Sequence, residues 1–305
     1  MRRVLLWAAR NRWLNEHLPR MRFMRRAVRR FMPGETLDDA LSAGVPLERL
    51  GITTAYTRLG ESLERPAEAE AVVAHYLEVI DRIQASGMQG EISVKPTQLG
   101  LDFDAEVCLA NAVTLADHAA AAGQFFWIDM EGSAYTESTV VLYEKLRAVA
   151  PQTGVCLQAY LRRSAADIQR LLPLDPAIRL VKGAYDEPEA IAFRDRSGVS
   201  ASFAGLAIRF LLDGRDRPIK LSLGTHDVGL IEQIADQVSQ SGIGRDAYEI
   251  EMLYGIREDQ QKRLLKAGYQ VRALISYGEA WYPWYMRRLA ERPANIGFAL
   301  RQILP

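Results

Sequence analysis

The chain has 305 residues, of which 49% are hydrophobic and 25% charged, and its 38 basic side chains balance 38 acidic ones. That length holds one large domain or two modest ones with ample core, and the composition is that of a globular protein, not a disordered or collagen-like chain. No apolar run reaches the ~18 residues needed to span a bilayer.

The balanced charge conceals an asymmetry. Residues 1–34 hold ten arginines against one acid, Glu16, so this arm carries about +9 and the rest of the chain about −9. An acidic body excludes a broad nucleic-acid-binding face. The early VLLWAA run is too short for a secretory signal. In RMRFMRRAVRRFM (20–32), Met21, Met24, Val28 and Phe31 fall at helical spacing among arginines. This basic amphipathic pattern suits an anionic membrane surface, and equally a helix packed on its own acidic body. A transit peptide is disfavoured, since residues 1–34 lack serine.

Beyond residue 50 one theme repeats: a β-branched or apolar run, a polar or Gly break, then a helical stretch. The runs are 52–61, 91–96, 125–131, 154–160, 178–185, 219–226, 248–255 and 271–278, with helical patterning over 67–84, 105–123 and 228–238. Eight such runs predict a parallel sheet closed as a (β/α)8 barrel. An open doubly wound sheet is the competitor, but no GxGxxG follows the first run.

Each run ends in a residue able to do chemistry: Glu61, Lys95, Asp129, Gln158, Lys182 with Tyr185, Thr225 with His226, Tyr254 and Tyr277. In a barrel these ends converge on one mouth, where such enzymes keep their active sites. Lys95 is a carboxylate anchor, an amine nucleophile, or the partner of Asp129 or Glu131. Asp129 is a base, a cation-orienting group, or a partner of Lys95 or Arg179. Arg179 and Lys182 are three apart, which on a strand places them on opposite faces unless the chain turns at Gly183. Gly183 and Ala184 offer bare backbone for a flat or phosphorylated ligand. GTHD (224–227) precedes a helix and makes a phosphate seat. His17, His75 and His118 lie in arm or helical contexts and read as packing or surface residues. Cys156 reads as core, and two cysteines without motif spacing fit a reducing compartment. No cluster has metal spacing, so no metal is expected.

SVKPTQLGL (93–101), WIDMEGSAYT (127–136), VCLQAYLRR (155–163), RLVKGAYDE (179–187), GTHD, EMLYGI (251–256) and MRRLAERPAN (286–295) together resemble the monofunctional proline dehydrogenases. The match runs from about residue 37 to the end, with the arm outside it. It implies two parts: a basic helical arm at 1–36 and an FAD-binding, distorted (β/α)8 barrel at 37–305, with a C-terminal helix over its mouth. It also implies oxidation of L-proline to 1-pyrroline-5-carboxylate, with electrons passed to a membrane quinone. Such an enzyme is expected in the cytoplasm, peripheral to the inner face of the bacterial membrane.

By the same resemblance, Lys95, Arg287 and Arg288 would clamp the substrate carboxylate, and Tyr185 and Trp284 would line the substrate pocket. Asp129 and Arg179 would be the catalytic polar pair. Met130, Gln158, Lys182, Gly183, Ala184, Thr225 and His226 would contact FAD, and Glu291 would steady the last helix. Two positions depart from the family pattern: Trp284 stands where Tyr is usual before Arg-Arg, and Leu274 where Tyr is usual four residues ahead of Gly278. A hydroxylated or differently sized cyclic amino acid therefore stays open as substrate. So do a lyase or aldolase using Lys95 or Lys182 as a Schiff base and a membrane-surface scaffold with a degenerate barrel.

Overall fold

A computed structural model describes residues 2–21, 24, 27–60 and 63–291. Eight parallel strands close into one barrel in sequence order: β1 (Thr53–Arg58), β2 (Gly90–Val94), β3 (Phe126–Ile128), β4 (Thr153–Gln158), β5 (Ala177–Val181), β6 (Lys220–Gly224), β7 (Glu249–Leu253) and β8 (Gln270–Tyr277). Each lies within or against one predicted run, and β1 pairs with β8 to close the ring. The open-sheet alternative is excluded. The expected helices appear at Ala67–Ser86, Ala105–Ala121 and Val228–Ser239.

Strand alternation sorts the side chains. Outward positions such as Ile178, Leu180, Leu221, Leu223, Ile250 and Met252 join Phe203, Ala207 and Phe210 of the helix Arg196–Asp213 in one core. A second outer core gathers Ile92, Val94, Phe126 and Ile128 with Val79, Ile83 and Leu115 from the helices over β2 and β3. Apolar area buried there, at about 25 cal/mol per Å2, is what holds the helical layer on the barrel. The inward positions are different: Glu91, Ser93, Trp127, Arg179, Lys220, Glu249, Glu251 and Arg272 meet one another inside the ring.

Two predicted mouth residues do not reach it. Tyr277 lies five residues after Arg272 and so points outward, where its hydroxyl shares a 2.8 Å hydrogen bond with His75 Nε2. Tyr254, one residue past β7, is half-buried against the second outer core. Glu61 lies outside the described residues.

After β8 the chain turns into the helix Trp281–Glu291, which crosses the barrel mouth as expected. The arm packs onto it. Short helices Arg2–Arg10 and Arg12–His17 lead to Met24, Ala27, Val28, Phe31 and Met32, which are buried with Trp281, Tyr282, Trp284, Tyr285, Met286 and Leu289. The turn after β7 also receives the arm: a Cβ on Gly255 would sit 1.6 Å from the Arg30 carbonyl oxygen. Of the four residues that make the amphipathic pattern, three are therefore spent on the protein itself, and only Met21 is exposed. The partner is an aromatic helix, not an acidic surface. Val4, Trp7 and Trp13 stand exposed on the arm's outer side, each more than 60% accessible.

Candidate active site

A cavity of about 1140 Å3 opens at the C-terminal ends of the strands, roofed by the helix Trp281–Glu291. All fourteen residues singled out for binding or catalysis line it: Lys95, Asp129, Met130, Gln158, Arg179, Lys182, Gly183, Ala184, Tyr185, Thr225, His226, Trp284, Arg287 and Arg288. Pockets for drug-sized ligands run about 300–1,000 Å3, so this one exceeds what a single amino acid fills.

The barrel interior below is built in charged layers. In the lower one, Arg272 Nη2 lies 3.0 Å from Glu91 and 2.9 Å from Glu249, and Lys220 Nζ lies 2.7 Å from Glu91. Trp127 Nε1 donates to Glu91 at 2.6 Å. Two cations offset two carboxylates, and Arg272 and Lys220 hold the Glu91 carboxyl well below its ordinary range against the opposing effect of burial.

Arg179 dominates the layer above. Its Nε donates to Glu251 at 2.8 Å, and its Nη1 donates to Ser93 Oγ at 2.7 Å and to Asp129 at 3.1 Å. Ser93 also donates to Asp129, at 2.7 Å. The guanidinium stacks 4.6 Å from the Trp127 ring. Arg179 is 2% exposed, and its Nη2 has no hydrogen-bond partner among the described residues. A buried donor left over at a cavity wall points to an absent acceptor. Asp129 accepts from both Ser93 and Arg179, which makes it the group that orients the cation.

Lys95 is buried, yet its ammonium makes no ion pair among the described residues. The internal pairing with Asp129 or Glu131 is therefore not formed. Asp129 is taken by Arg179, and Glu131 accepts from the Thr97 backbone and hydroxyl. Arg287 lies 5.7 Å from the Tyr185 ring and Arg288 5.9 Å from the Trp284 ring. The roof thus brings two guanidiniums and two aromatic faces to the same mouth as Lys95. Leu274 lines this cavity too, beside Thr57, Leu59 and Ser276. The side chain of Glu291 lies outside the described residues.

On the other side, Gln158 donates through Nε2 to the Glu131 carbonyl at 2.7 Å, which fixes its amide. β5 ends at Val181, so Lys182 is already in the loop and lines the cavity despite its odd spacing from Arg179. Gly183 follows with φ of +109°, and a Cβ there would meet the Tyr160 ring at 2.1 Å, so this backbone is accessible only to glycine. Lys182 Nζ is held by Asp227 at 2.8 Å and Ser200 at 3.0 Å. Asp227 caps the helix Val228–Ser239 with its own carboxylate. That narrows the phosphate seat expected from GTHD: Asp227 takes the Leu230 N–H of the helix's first turn, and the cations lining the cavity there are Lys182, already paired with Asp227, Arg194 and Arg196. His226 accepts from the Leu253 backbone N–H at 3.5 Å through Nε2.

Cys156 is in the core, as expected, and also reaches the cavity wall. Sequence reasoning missed Glu251, Ser93, Tyr160 and Asp227, all in or against this cavity, and the whole lower charged layer. A signal existed. In YEIEML the acids at 249 and 251 alternate with Ile250 and Met252, the mark of a strand with one apolar and one charged face. Among the described residues no group of His, Cys, Asp and Glu is arranged to hold a metal ion, and no helix is long and apolar enough to cross a membrane.

The chain matches the family model described as "Proline dehydrogenase" over residues 40–301. It is 34% identical over 304 residues to "Proline dehydrogenase 1" of Bacillus subtilis (strain 168), covering all of this chain and 99% of that one. It is 35% identical over 280 residues to "Proline dehydrogenase" of Deinococcus radiodurans, covering 90% of this chain and 89% of that one. The Bacillus match extends through the arginine-rich arm, which therefore is not outside the resemblance. Among solved structures it is similar to proline utilization A from Bdellovibrio bacteriovorus inactivated by N-propargylglycine, with TM-score 0.81 and 19% identity. That match covers 95% of this chain but 38% of the larger protein, and at this identity it shows the barrel fold alone.

Proposed function

Because the chain belongs to the proline dehydrogenase family, we propose that it oxidises L-proline to 1-pyrroline-5-carboxylate with FAD, passing the electrons to a membrane quinone. The observation that carries the reading is the buried Nη2 of Arg179, unpartnered among the described residues, at the wall of a cavity too large for proline alone.

The residues present fit the cofactor. Arg179 offers a donor without an acceptor, Gln158 an amide locked in place, Gly183 and Ala184 uncovered backbone, and Lys182, Thr225 and His226 a polar rim. Met130 adds an apolar, polarisable contact. Bound there, FAD supplies the centre that accepts a hydride from the substrate.

The protein's part is orientation and electrostatics. Proline offers one strong handle, its carboxylate, and guanidinium forks from Arg287 and Arg288 with the Lys95 ammonium grip it. Each charge-assisted hydrogen bond contributes roughly 1.5–3 kcal/mol, enough to fix a small ring. Tyr185 and Trp284 cover its apolar face. Arg179 stabilises negative charge that develops at the far side of the cavity, and Asp129 holds it in place. The amine gives up its proton before the hydride leaves.

Family membership removes the Schiff-base lyase and scaffold readings, and Lys182, ion-paired to Asp227, is in no position to act as a nucleophile. The arm is proposed to touch an anionic membrane surface on the cytoplasmic side through Val4, Trp7 and Trp13 rather than through residues 24–32. Leu274 and Trp284 set ring selectivity, so 4-hydroxyproline is the competitor substrate to measure. The deciding experiment is to purify the protein, record its visible spectrum, and add L-proline without oxygen. A yellow protein that bleaches supports the reading; a colourless protein, or a yellow one indifferent to proline, overturns it.

A further inference from the structure

We propose that Glu251 is the proton-carrying residue of the cavity floor: it takes up one proton from solvent when negative charge arrives at Nη2 of Arg179. The inference rests on the reading that a hydride-accepting flavin lies beside Arg179, and goes beyond it by naming the group that balances the added charge.

Counting charge in the two layers shows why. The lower layer is neutral, with Glu91 and Glu249 offset by Arg272 and Lys220. The upper layer is not, since Arg179 is shared between two carboxylates, Asp129 and Glu251. With both ionised, the floor of the cavity holds an excess negative charge away from water, which is costly. Asp129 is relieved by partial exposure and by Ser93, whereas the Glu251 side chain is 3% exposed.

The groups facing Glu251 come from every neighbouring strand: Arg179 on β5, Ser222 on β6 (Oγ donating at 3.2 Å), Glu249 on its own strand, Arg272 on β8, Glu91 on β2 and Cys156 on β4. Burial is the largest influence and pushes the Glu251 carboxyl above the ordinary range; Arg179 opposes it, Glu249 adds to it. Of the two acids on Arg179, Glu251 is therefore the one whose proton is poised to change.

The substrate loses a hydride from carbon, two electrons with one hydrogen, and the acceptor gains it together with one negative charge. That charge competes with Glu251 for the same guanidinium. One proton from solvent forms an O–H bond on the Glu251 carboxylate and cancels it; no bond at Glu251 breaks. Glu251 acts through Arg179 and is a positioning residue, not a catalytic one.

The test compares wild type with Glu251→Gln, which keeps an acceptor for Arg179 and Ser222 but cannot titrate. The first measurement is the reduction potential of the bound flavin from about pH 6 to about pH 9. The potential of Glu251→Gln should exceed that of wild type at the alkaline end by at least a tenfold shift in the reduction equilibrium, about 30 mV for two electrons. The difference should shrink toward the acid end, as wild type takes up its proton. The second measurement, urea unfolding, needs no flavin. A folded-state pKa raised above the unfolded value contributes stability that is fully present below about pH 4.5 and lost as pH rises through the folded value. Wild type should therefore lose stability relative to Glu251→Gln as pH increases. Ser222→Ala, which removes a donor to the charged form, should move both transitions to higher pH. A constant offset in potential at every pH means a fixed carboxylate and overturns the proposal, as does a pH-independent difference in unfolding. A protein purified without flavin defeats the cofactor reading and leaves the unfolding comparison to decide Glu251.

Discussion

Replacing Arg272 with Met tests whether the lower charged layer is what keeps the barrel closed beneath the site. Arg272 is 6% exposed and ties three strands together inside the ring. It pairs with Glu91 at 3.0 Å and with Glu249 at 2.9 Å, and its Nη1 donates to the Thr54 carbonyl of β1 at 2.7 Å. After the change Glu91 still has Lys220 and Trp127, but among the described residues Glu249 keeps only the Ser222 hydroxyl at 3.4 Å. Breaking a buried pair by removing one partner costs about 3–5 kcal/mol, because the other charge stays behind. Loss of the Thr54 contact adds roughly 1 kcal/mol. We expect Arg272→Met to lose about 4–6 kcal/mol in urea unfolding near neutral pH. Adding Glu249→Gln should recover about half or more of the lost stability. A cost below about 1 kcal/mol, or no recovery in the double variant, would refute the claim that this layer is an ion-pair core.

Arg288→Met should raise the KM for L-proline about 10- to 150-fold, the range of one lost charge-assisted bond, while flavin content by absorbance stays unchanged. If the flavin leaves instead, the assignment of Arg288 to the substrate is wrong. Gly183→Ala meets both a left-handed φ and the Tyr160 ring, so it should cost about 2–5 kcal/mol and lower the flavin-to-protein ratio; a fully loaded, equally stable variant would contradict the close packing seen there. Trp7→Ser with Trp13→Ser should reduce cosedimentation with anionic phospholipid vesicles and leave proline-to-dye turnover intact. Truncating residues 1–34 is the wrong comparison, since it would uncover the aromatic face of the helix Trp281–Glu291.

Much of the fold was legible because a parallel barrel repeats one local pattern. Each strand is a short apolar run, each helix a 3.6-residue stripe, and the eight repeats needed no long-range information to be counted. The site was legible for the same reason, because the chemistry stands just past the strand ends and the barrel gathers those ends at one mouth. The failures share a cause as well. Tyr277 ends a strand, as Asp129 nearly does, but which face a residue takes depends on register, and one position separates the mouth from the outer core. Glu251 sits one position before Met252 and was passed over, since nothing local says that the inner face of β7 meets Arg179 of β5. The basic arm shows the limit most plainly. Its amphipathic spacing is equally suited to lipid and to protein, and only the packing of Met24, Val28 and Phe31 against Tyr285 and its neighbours decides between them. Local spacing therefore determined the barrel and the ring of functional groups at its mouth. Tertiary structure alone decided which of those groups are paired, which stand open to a ligand, and where the buried charge is left out of balance, because those depend on distances between strands that are far apart in the chain.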